Sequence, residues 1–417
     1  MAEPVYLTGL GVVCPIGRDV AAFTAALRAG QSGITARPAG PRPGTLLAPA
    51  PELDLAAALG ELGLCPAVRR HALRVTCRSP GPVRAALAAA AQAWQQARLA
   101  ERGLPGDRIG VVVGGHNLTI ADTLSRYEAY LREPAYLPAR HALQVQDTDH
   151  VATISHALGI TGEGCTIGAS SASGNAALIQ AARLIRLGAV DACLAVGAMV
   201  KLTPMECDAL VKLGALAQAA PGGGLPPDAG PFGRRRTGFV PGEGTAAVVL
   251  ESAASVTAPG AASPLAELAG WAQALDGNSL ADPRPGGEAR VMTAAMDRAG
   301  LVPGQLGYVS AHATGTPAGD DAELAALRAA LPGARPWLNA TKALTGHCLS
   351  AAGLIEAVAA VLQLRHGFVH RGPLLSHPVD TQCRLAGPRA EPASVRYALS
   401  NSFGFGGFNS CLVLRRC

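Results

Sequence analysis

Charged and aromatic residues are scarce in this chain of 417 residues. Only 16% of the residues are charged and 4% are aromatic, whereas 49% are hydrophobic. This composition excludes an intrinsically disordered chain, which combines low hydrophobicity with high charge. The net charge is only +5, and the basic residues do not alternate with aromatic ones. Nucleic acid is therefore a poor candidate for a partner, whereas an acidic protein partner is compatible with the charge.

Long apolar runs and paired cysteines are also missing. Gly, Arg or Asp interrupts each apolar stretch within the roughly 20 residues that a membrane-spanning helix requires, so we expect no membrane span. The opening residues, MAEPVYLTGLGVV, lack the basic region and cleavage pattern of a secretory signal. The ten cysteines form no C-x-x-C pair and show no ligand-like spacing to histidine. We therefore expect reduced thiols, no metal site and a cytoplasmic location.

Apolar runs that end in glycine alternate with stretches rich in Ala and Leu. This alternation predicts an α/β fold with buried strands. The clearest strands are predicted at Tyr6–Val13, Arg108–Val113, Ala189–Gly197, Gly244–Leu250, Leu306–Ala311, Arg396–Leu399 and Cys411–Leu414. The clearest helices are predicted at Pro82–Leu99, Ala172–Leu187, Glu288–Ala299, Asp321–Leu331 and Leu349–His366. A break near Val256–Ser263 divides the chain in two, and the loosely similar segments GDRIGVVVGG and GQLGYVSAHATG on either side favour an internal duplication.

A turn of small residues, GASSASG at 168–174, joins an apolar strand to a long helix. Ser171 is thus placed at a helix N-terminus, where free N–H groups and the helix dipole favour an anion. A cysteine there would have a lowered thiol pKa and act as a nucleophile, but a serine hydroxyl needs an adjacent general base. The simplest interpretation is that Ser171 caps the helix, as serine often does.

Two histidines lie far downstream in glycine-rich segments. His312 in SAHATGTPAGDD follows a buried strand, and His347 in TKALTGHCLSAAG precedes a helix. Two histidines at the ends of elements indicate an active site more strongly than a single one does. The chain closes with SNSFGFGGFNS, whose glycines permit close backbone approach.

Together these segments resemble the β-ketoacyl synthases of fatty-acid and polyketide synthesis, in which a cysteine nucleophile works with two histidines. The resemblance runs from the segment LGVV at residues 10–13 to the C-terminus. It implies the α/β thiolase fold, five αβαβα layers built from two pseudo-duplicated halves. Residues 1–255 would form the N-terminal half and residues 256–417 the C-terminal half. A homodimer is implied as well.

The resemblance also assigns roles to individual residues. His312 and His347 would direct Nε2 at the thioester carbonyl of a bound acyl group. Lys342 would support this pair, and the amides of Phe405 and Ser171 would form an oxyanion hole, with Phe405 gating the pocket. Supporting positions are expected at Glu323, Thr314 and Asn401.

The chain departs from the family pattern at several positions. Ser171 replaces the nucleophilic cysteine, Ala313 the first glycine of the usual HGTGT, and Phe408 a threonine. Gly233 and Thr237 replace two acids in the segment PFGRRRTGFVPGEG. The loss of the cysteine decides the reaction, because acyl transfer and condensation depend on sulfur, whereas decarboxylation needs only donors that stabilise an enolate.

The pattern resembles the discrete decarboxylating ketosynthases of polyketide β-branching cassettes. It implies decarboxylation of malonyl-acyl carrier protein to acetyl-acyl carrier protein, with no acyl transfer to Ser171. The chain would hold no cofactor of its own, since the carrier supplies the phosphopantetheine arm. Candidate docking residues for the acidic carrier are Arg234, Arg235 and Arg236, or Arg69, Arg70, Arg74 and Arg78.

Three other functions remain open from the sequence. The chain could be a condensing ketosynthase in which serine has been substituted for cysteine. It could be a serine acyltransferase, with His312 or His347 as the base for Ser171. It could also be a non-catalytic partner subunit like the chain-length factors, although such partners usually lose the histidines that this chain keeps.

Overall fold

The computed structural model of this protein describes residues 3–36, 45–220, 224–278, 281–372, 375–377, 379 and 381–417. Its strands are β1 Val5–Val13, β2 Thr35–Ala36, β3 Leu46–Leu47, β4 Ile109–Gly114, β5 Gly164–Ile167, β6 Ala192–Gly197, β7 Thr245–Ser252, β8 Ala266–Leu275, β9 Tyr308–Ser310, β10 Trp337–Asn339, β11 Phe368–Val369, β12 Arg384–Leu385, β13 Glu391–Pro392, β14 Tyr397–Gly404 and β15 Phe408–Arg416. Its α-helices are α1 Val20–Ala29, α2 Leu55–Glu61, α3 Pro66–Thr76, α4 Gly81–Gln96, α5 Ile120–Arg132, α6 His141–Gln144, α7 Asp149–Leu158, α8 Ser173–Arg186, α9 Pro204–Lys212, α10 Ala253–Thr257, α11 Pro285–Arg298, α12 Pro317–Ala330, α13 Lys342–Thr345 and α14 Ala352–His366. Every strand and helix predicted from the sequence is present, with ends that differ by a few residues.

The larger strands form one mixed sheet whose two halves repeat the same arrangement. The first half is ordered β1-β7-β6-β4-β5 and the second β8-β15-β14-β9-β10. In each half the first two pairings are antiparallel and the next two are parallel. The halves meet where β1 pairs with β8 over only two residue pairs. This repeated strand order supports the internal duplication.

Alternate residues of the strands pack on opposite faces of each half-sheet. In β7, Val248 and Leu250 face a core shared with α8 and α14, whereas Val249 faces a second core with α4 and α7. The opposite face of the second half-sheet packs against α11 and α12. The layers therefore run helix, sheet, helix, sheet, helix, which confirms the five-layered α/β fold.

Helices α8 and α14 form the central layer between the two half-sheets. Helix α14 is apolar on nearly all sides and buried from Ala352 to Leu364, as a helix enclosed by two sheets must be. The buried stretch contains one acid, Glu356, which is only 1% exposed. Among the described residues, no helix has the length and apolar character needed to cross a membrane.

Candidate active site

Ser171 lies in a short 3₁₀ turn between β5 and α8. The preceding residue, Ser170, has a φ of +51°, which is uncommon for a residue with a side chain. The Ser173 hydroxyl secures the turn, because it accepts a hydrogen bond from Ala169 N at 2.9 Å and donates one to the Ser170 carbonyl at 2.6 Å. The N-cap position of α8 is Ala172, which makes no side-chain cap bond. Ser171 therefore does not cap the helix, contrary to the simplest interpretation of the sequence.

The Ser171 hydroxyl instead contacts His347, with 2.9 Å between Oγ and Nε2. The His347 backbone N–H donates to the Val240 carbonyl at 2.7 Å, and the Phe239 ring packs edge-on against the imidazole at 5.1 Å. Nδ1 of His347 is buried and has no hydrogen-bond partner in the described ranges. Burial, and to a lesser extent the positive charge of Lys342, holds the pKa of His347 well below its usual range. The ring is therefore neutral at pH 7.

His312 follows β9 and lies beside His347, with 5.6 Å between the ring centroids. Nζ of Lys342 is 3.3 Å from Nδ1 of His312 and also pairs with the Glu356 carboxylate. An ammonium group only donates, so Nδ1 must accept and the neutral ring carries its proton on Nε2. Burial holds the pKa of His312 well below its usual range, and the Lys342 charge adds to the effect.

Glu323 of α12 fixes the backbone around His312. Its Oε1 accepts from His312 N at 2.8 Å and from Asn401 Nδ2 at 2.9 Å, and its Oε2 accepts from Ala313 N at 2.7 Å. Burial raises the pKa of Glu323, while these donors partly offset the rise. Glu323, with Asn401 bonded to it, thus holds the backbone beside His312, and the supporting role of both residues in catalysis remains a prediction.

Thr314 sits in the adjoining turn, which is held by a second acid. Asp320 accepts hydrogen bonds from Thr314 N and Gly315 N, both at 3.0 Å, and from Phe232 N at 2.8 Å. Burial raises the pKa of Asp320 to about 7. The Thr314 hydroxyl bonds to Thr316 and therefore helps to shape the turn.

The glycine-rich loop after β14 brings Phe405 to the same place. Gly406 and Gly407 both have positive φ values, +90° and +72°. A Cβ on Gly404 would lie 3.1 Å from Ser171 N, so only glycine lets this loop approach the serine turn so closely. Phe405 is 42% exposed and lines the cavity described below. Its gating role and the oxyanion hole remain predictions.

Two departures from the family pattern are accommodated by packing. Ala313 is 1% exposed within the core beneath α12, and its φ is not positive, so a glycine is not required there. Phe408 packs against the small apolar cluster formed by Ala169, Ala172 and Ala176. The aromatic ring thus packs beside the serine turn, at a position where the family usually has threonine.

These side chains line one cavity of about 630 Å³. The wall includes Ser171, His312, His347 and Phe405, with apolar side chains such as Leu210 and Phe239. The structure therefore gathers the serine, both histidines and the phenylalanine, while Lys342, Glu323 and Asn401 stand behind them. In the described ranges, no three His, Cys, Asp or Glu side chains are grouped so that they could hold a metal ion.

Sequence reasoning overlooked three acids of this site. Asp320 lies in the motif after His312, and Glu356 is the one acid in the apolar stretch LSAAGLIEAVAAVLQL, so both carried a signal. Glu288 had none, since the surrounding residues GGEARVM read as an ordinary helix start.

The two candidate docking clusters differ in how many of their arginine side chains are exposed and unpaired with acids. The Arg236 side chain is 8% exposed and pairs with Asp320 and Asp321, so it is not free to receive a carrier protein, contrary to the prediction. Its neighbours Arg234 and Arg235 are exposed. The second cluster lies on and after α3 and is also exposed, at Arg69, Arg70, Arg74 and Arg78.

Comparison with known proteins shows which family the chain belongs to. The model of the β-ketoacyl synthase N-terminal domain matches residues 2–255, and that of the C-terminal domain matches residues 265–373. The polyketide biosynthesis malonyl-ACP decarboxylase PksF of Bacillus subtilis (strain 168) is 34% identical over 99% of this chain and 96% of its own length. The chain belongs to the β-ketoacyl synthase family.

Solved structures of the family superpose along the whole chain. The ishigamide ketosynthase/chain length factor has a TM-score of 0.84 at 29% identity, covering 100% of both chains. A second structure is described as a type II polyketide synthase acyl-carrier protein in complex with its ketosynthase bound to the hexaketide. Its matching chain gives a TM-score of 0.83 at 27% identity, again covering 100% of both chains. The division at residue 255 remains a prediction.

Proposed function

We propose that this protein decarboxylates malonyl-acyl carrier protein to acetyl-acyl carrier protein in polyketide biosynthesis, without acyl transfer to Ser171. The observation that carries the proposal is the pair of neutral imidazoles, His312 and His347, which line one cavity beside a serine. The similarity to the Bacillus decarboxylase over the full chain supports it.

The two histidines would act on the malonyl thioester carbonyl. With the carbonyl oxygen between the Nε2–H groups, the bond from C2 to the carboxylate breaks and CO₂ leaves. The bonding pair forms an enolate, whose oxygen charge the two donors stabilise, and C2 then takes up a proton. Preorganised donors of this kind are each worth about 10²–10³ in rate. Lys342 keeps the His312 proton on Nε2, where it is needed.

Ser171 is a poor nucleophile in this setting. Its activation would require His347 to accept the hydroxyl proton and become positively charged. Burial and the nearby Lys342 charge both oppose that charge. The serine hydrolases place a carboxylate on Nδ1 of the base, whereas Nδ1 of His347 has no partner in the described part of the chain. The hydroxyl therefore stays protonated.

A serine acyltransferase is the second candidate, favoured by the 2.9 Å contact between Ser171 and His347. The same contact is equally compatible with the first candidate, because the hydroxyl oxygen can accept from Nε2–H of the neutral ring and so leave the serine unactivated. A non-catalytic partner subunit is disfavoured because the chain keeps both histidines together with Lys342 and Glu356. The remaining candidate is a condensing enzyme in which Ser171 is an engineered replacement of cysteine. The chain with Ser171 would then have the same chemistry as the first candidate, and only the natural form with cysteine would condense.

The substrate is proposed to arrive on an acidic carrier protein, whose phosphopantetheine arm enters the cavity. The exposed Arg234 and Arg235 are the docking residues we favour. They are followed in the chain by Phe239, which lines the cavity, whereas α3 packs in the outer layer against α7. A homodimer is also proposed. Strand β5 is the terminal strand of the sheet, and its exposed edge could pair with a second copy.

The test is mass spectrometry of malonyl carrier protein incubated with the purified chain. Loss of CO₂ to give acetyl carrier protein is expected. His312→Ala and His347→Ala should each slow it by about 10²–10³. Unchanged malonate loss in both variants would contradict the mechanism. A stable acyl adduct on Ser171 that turns over would instead favour the acyltransferase.

A further inference from the structure

A carboxyl group that the histidine mechanism does not use also lines the cavity. Glu288 lies in the first turn of α11 and is only 1% exposed, yet it lines the same cavity as Ser171 and His312. Its Oε2 has no hydrogen-bond partner in the described ranges. Buried polar atoms nearly always form hydrogen bonds, so an unpartnered oxygen that lines a cavity indicates a group that contacts a bound ligand.

The surroundings of Glu288 keep it protonated. Burial raises its pKa to about 9, and the facing carboxyl groups of Glu323, Asp276 and Asp320 add to the rise. Asp276 already accepts from Asn409, and Glu323 and Asp320 already accept from backbone amides. A helix N-terminus usually favours the carboxylate form, but burial outweighs that effect here. At pH 7 Glu288 is therefore a neutral acid inside the cavity.

The proposed reaction needs an acid at this point. Decarboxylation leaves an enolate whose C2 must receive a proton before acetyl carrier protein can leave. The neutral imidazole N–H groups and the Ser171 hydroxyl are weak acids, and the imidazole N–H groups already stabilise the enolate oxygen. A protonated carboxyl group is a much stronger acid than either.

We propose that Glu288 is the proton donor to C2 of the enolate, an inference that rests on the proposed decarboxylation. The Glu288 O–H bond breaks, its proton forms the third C–H bond of the acetyl methyl, and the enolate pair supplies the electrons. Glu288 is left as a carboxylate. It regains one proton from solvent through the cavity, so each turnover consumes one solvent proton.

The test follows the stereochemistry of protonation. A malonyl carrier protein with one hydrogen and one deuterium at C2, in known configuration, is turned over in tritiated water, and the configuration of the chiral methyl is measured. A fixed donor reaches one face of the planar enolate, so the wild-type protein should give a single configuration. Glu288→Gln, which fills the same space without an acidic proton, should lose the configurational excess.

Two matched variants complete the design. Glu288→Asp keeps an acid and should retain part of the excess, which a purely structural effect of the glutamine would not restore. Asp297→Asn makes the same carboxyl-to-amide change at an exposed site on α11 and should leave the excess unchanged. A racemic product from the wild-type protein, or full selectivity in Glu288→Gln, would overturn the assignment. Absence of CO₂ release by the wild-type protein would instead overturn the proposed function.

Discussion

Replacing Glu323 by glutamine tests how firmly His312 is positioned. The carboxylate of Glu323 faces three N–H donors, with His312 N and Asn401 Nδ2 on Oε1 and Ala313 N on Oε2. A glutamine can present its carbonyl oxygen to the first two donors. Its NH₂ group must then face Ala313 N–H, so two donors meet and neither is satisfied.

The cost follows from those two buried donors. An unsatisfied buried donor costs about 1–3 kcal/mol, so the two donors together should lower the free energy of unfolding of Glu323→Gln by about 2–6 kcal/mol. Asn401→Ala is the matched control, since it removes one donor and leaves the carboxylate with two, for a loss of about 1 kcal/mol. The unfavourable contact between the glutamine NH₂ group and Ala313 N–H should also displace the backbone of His312. A displacement near 1 Å lowers the rate by about 10²-fold.

Urea denaturation and the decarboxylation assay measure the two effects. Glu323→Gln should unfold at a lower urea concentration than Asn401→Ala and should lose most of its activity. A Glu323→Gln variant that is no less stable than Asn401→Ala, or that keeps the wild-type rate, would refute the reasoning.

Three further outcomes are expected. Ser171→Cys should gain a covalent acyl adduct with acyl carrier protein, seen by intact-protein mass spectrometry, because a thiol at a helix N-terminus ionises readily; no adduct would contradict the reading of the serine turn. Reversing the charge of Arg234 and Arg235 should raise KM for malonyl carrier protein, and added salt should raise the wild-type KM too; a larger effect from reversing Arg69 would place docking on α3. Burial lowers the pKa of His150 to about 4, so between about pH 6.5 and 4 the unfolded chain binds a proton at His150 that the folded chain does not bind. The free energy of unfolding should therefore fall by about 1.4 kcal/mol per pH unit as the pH is lowered. His150→Leu should flatten this slope in denaturation between pH 7 and 4.5, and an unchanged slope would contradict the assignment.

The sequence predicted the main layers because their strands and helices carry strong local patterns. It missed β8, whose residues AELAGWAQAL are mostly good helix formers. This segment becomes a strand because it pairs with β15 along its whole length and with the start of β1. Tertiary pairing therefore overrides local propensity, which a single sequence cannot reveal.

Within the candidate site, the residues in motifs could be predicted from the sequence, whereas the features that depend on tertiary packing could not. Ser171, His312 and His347 lie in recognisable motifs, and the structure brings them to one cavity. Their protonation states were not accessible, since they depend on burial and on the distance from Lys342 to each ring. Glu288 escaped notice for the same reason, because its burial depends on the packing of α11 against α12, β8 and β15.

Removal of the Ser171 hydroxyl tests the central claim most directly. Ser171→Ala and the wild-type protein are each mixed with malonyl carrier protein, and both carrier and enzyme are followed by mass spectrometry. The account predicts that the alanine variant still forms acetyl carrier protein at a comparable rate and that no acyl group appears on the wild-type serine. Loss of CO₂ release in Ser171→Ala, together with an acylated Ser171 in the wild-type protein, would contradict it.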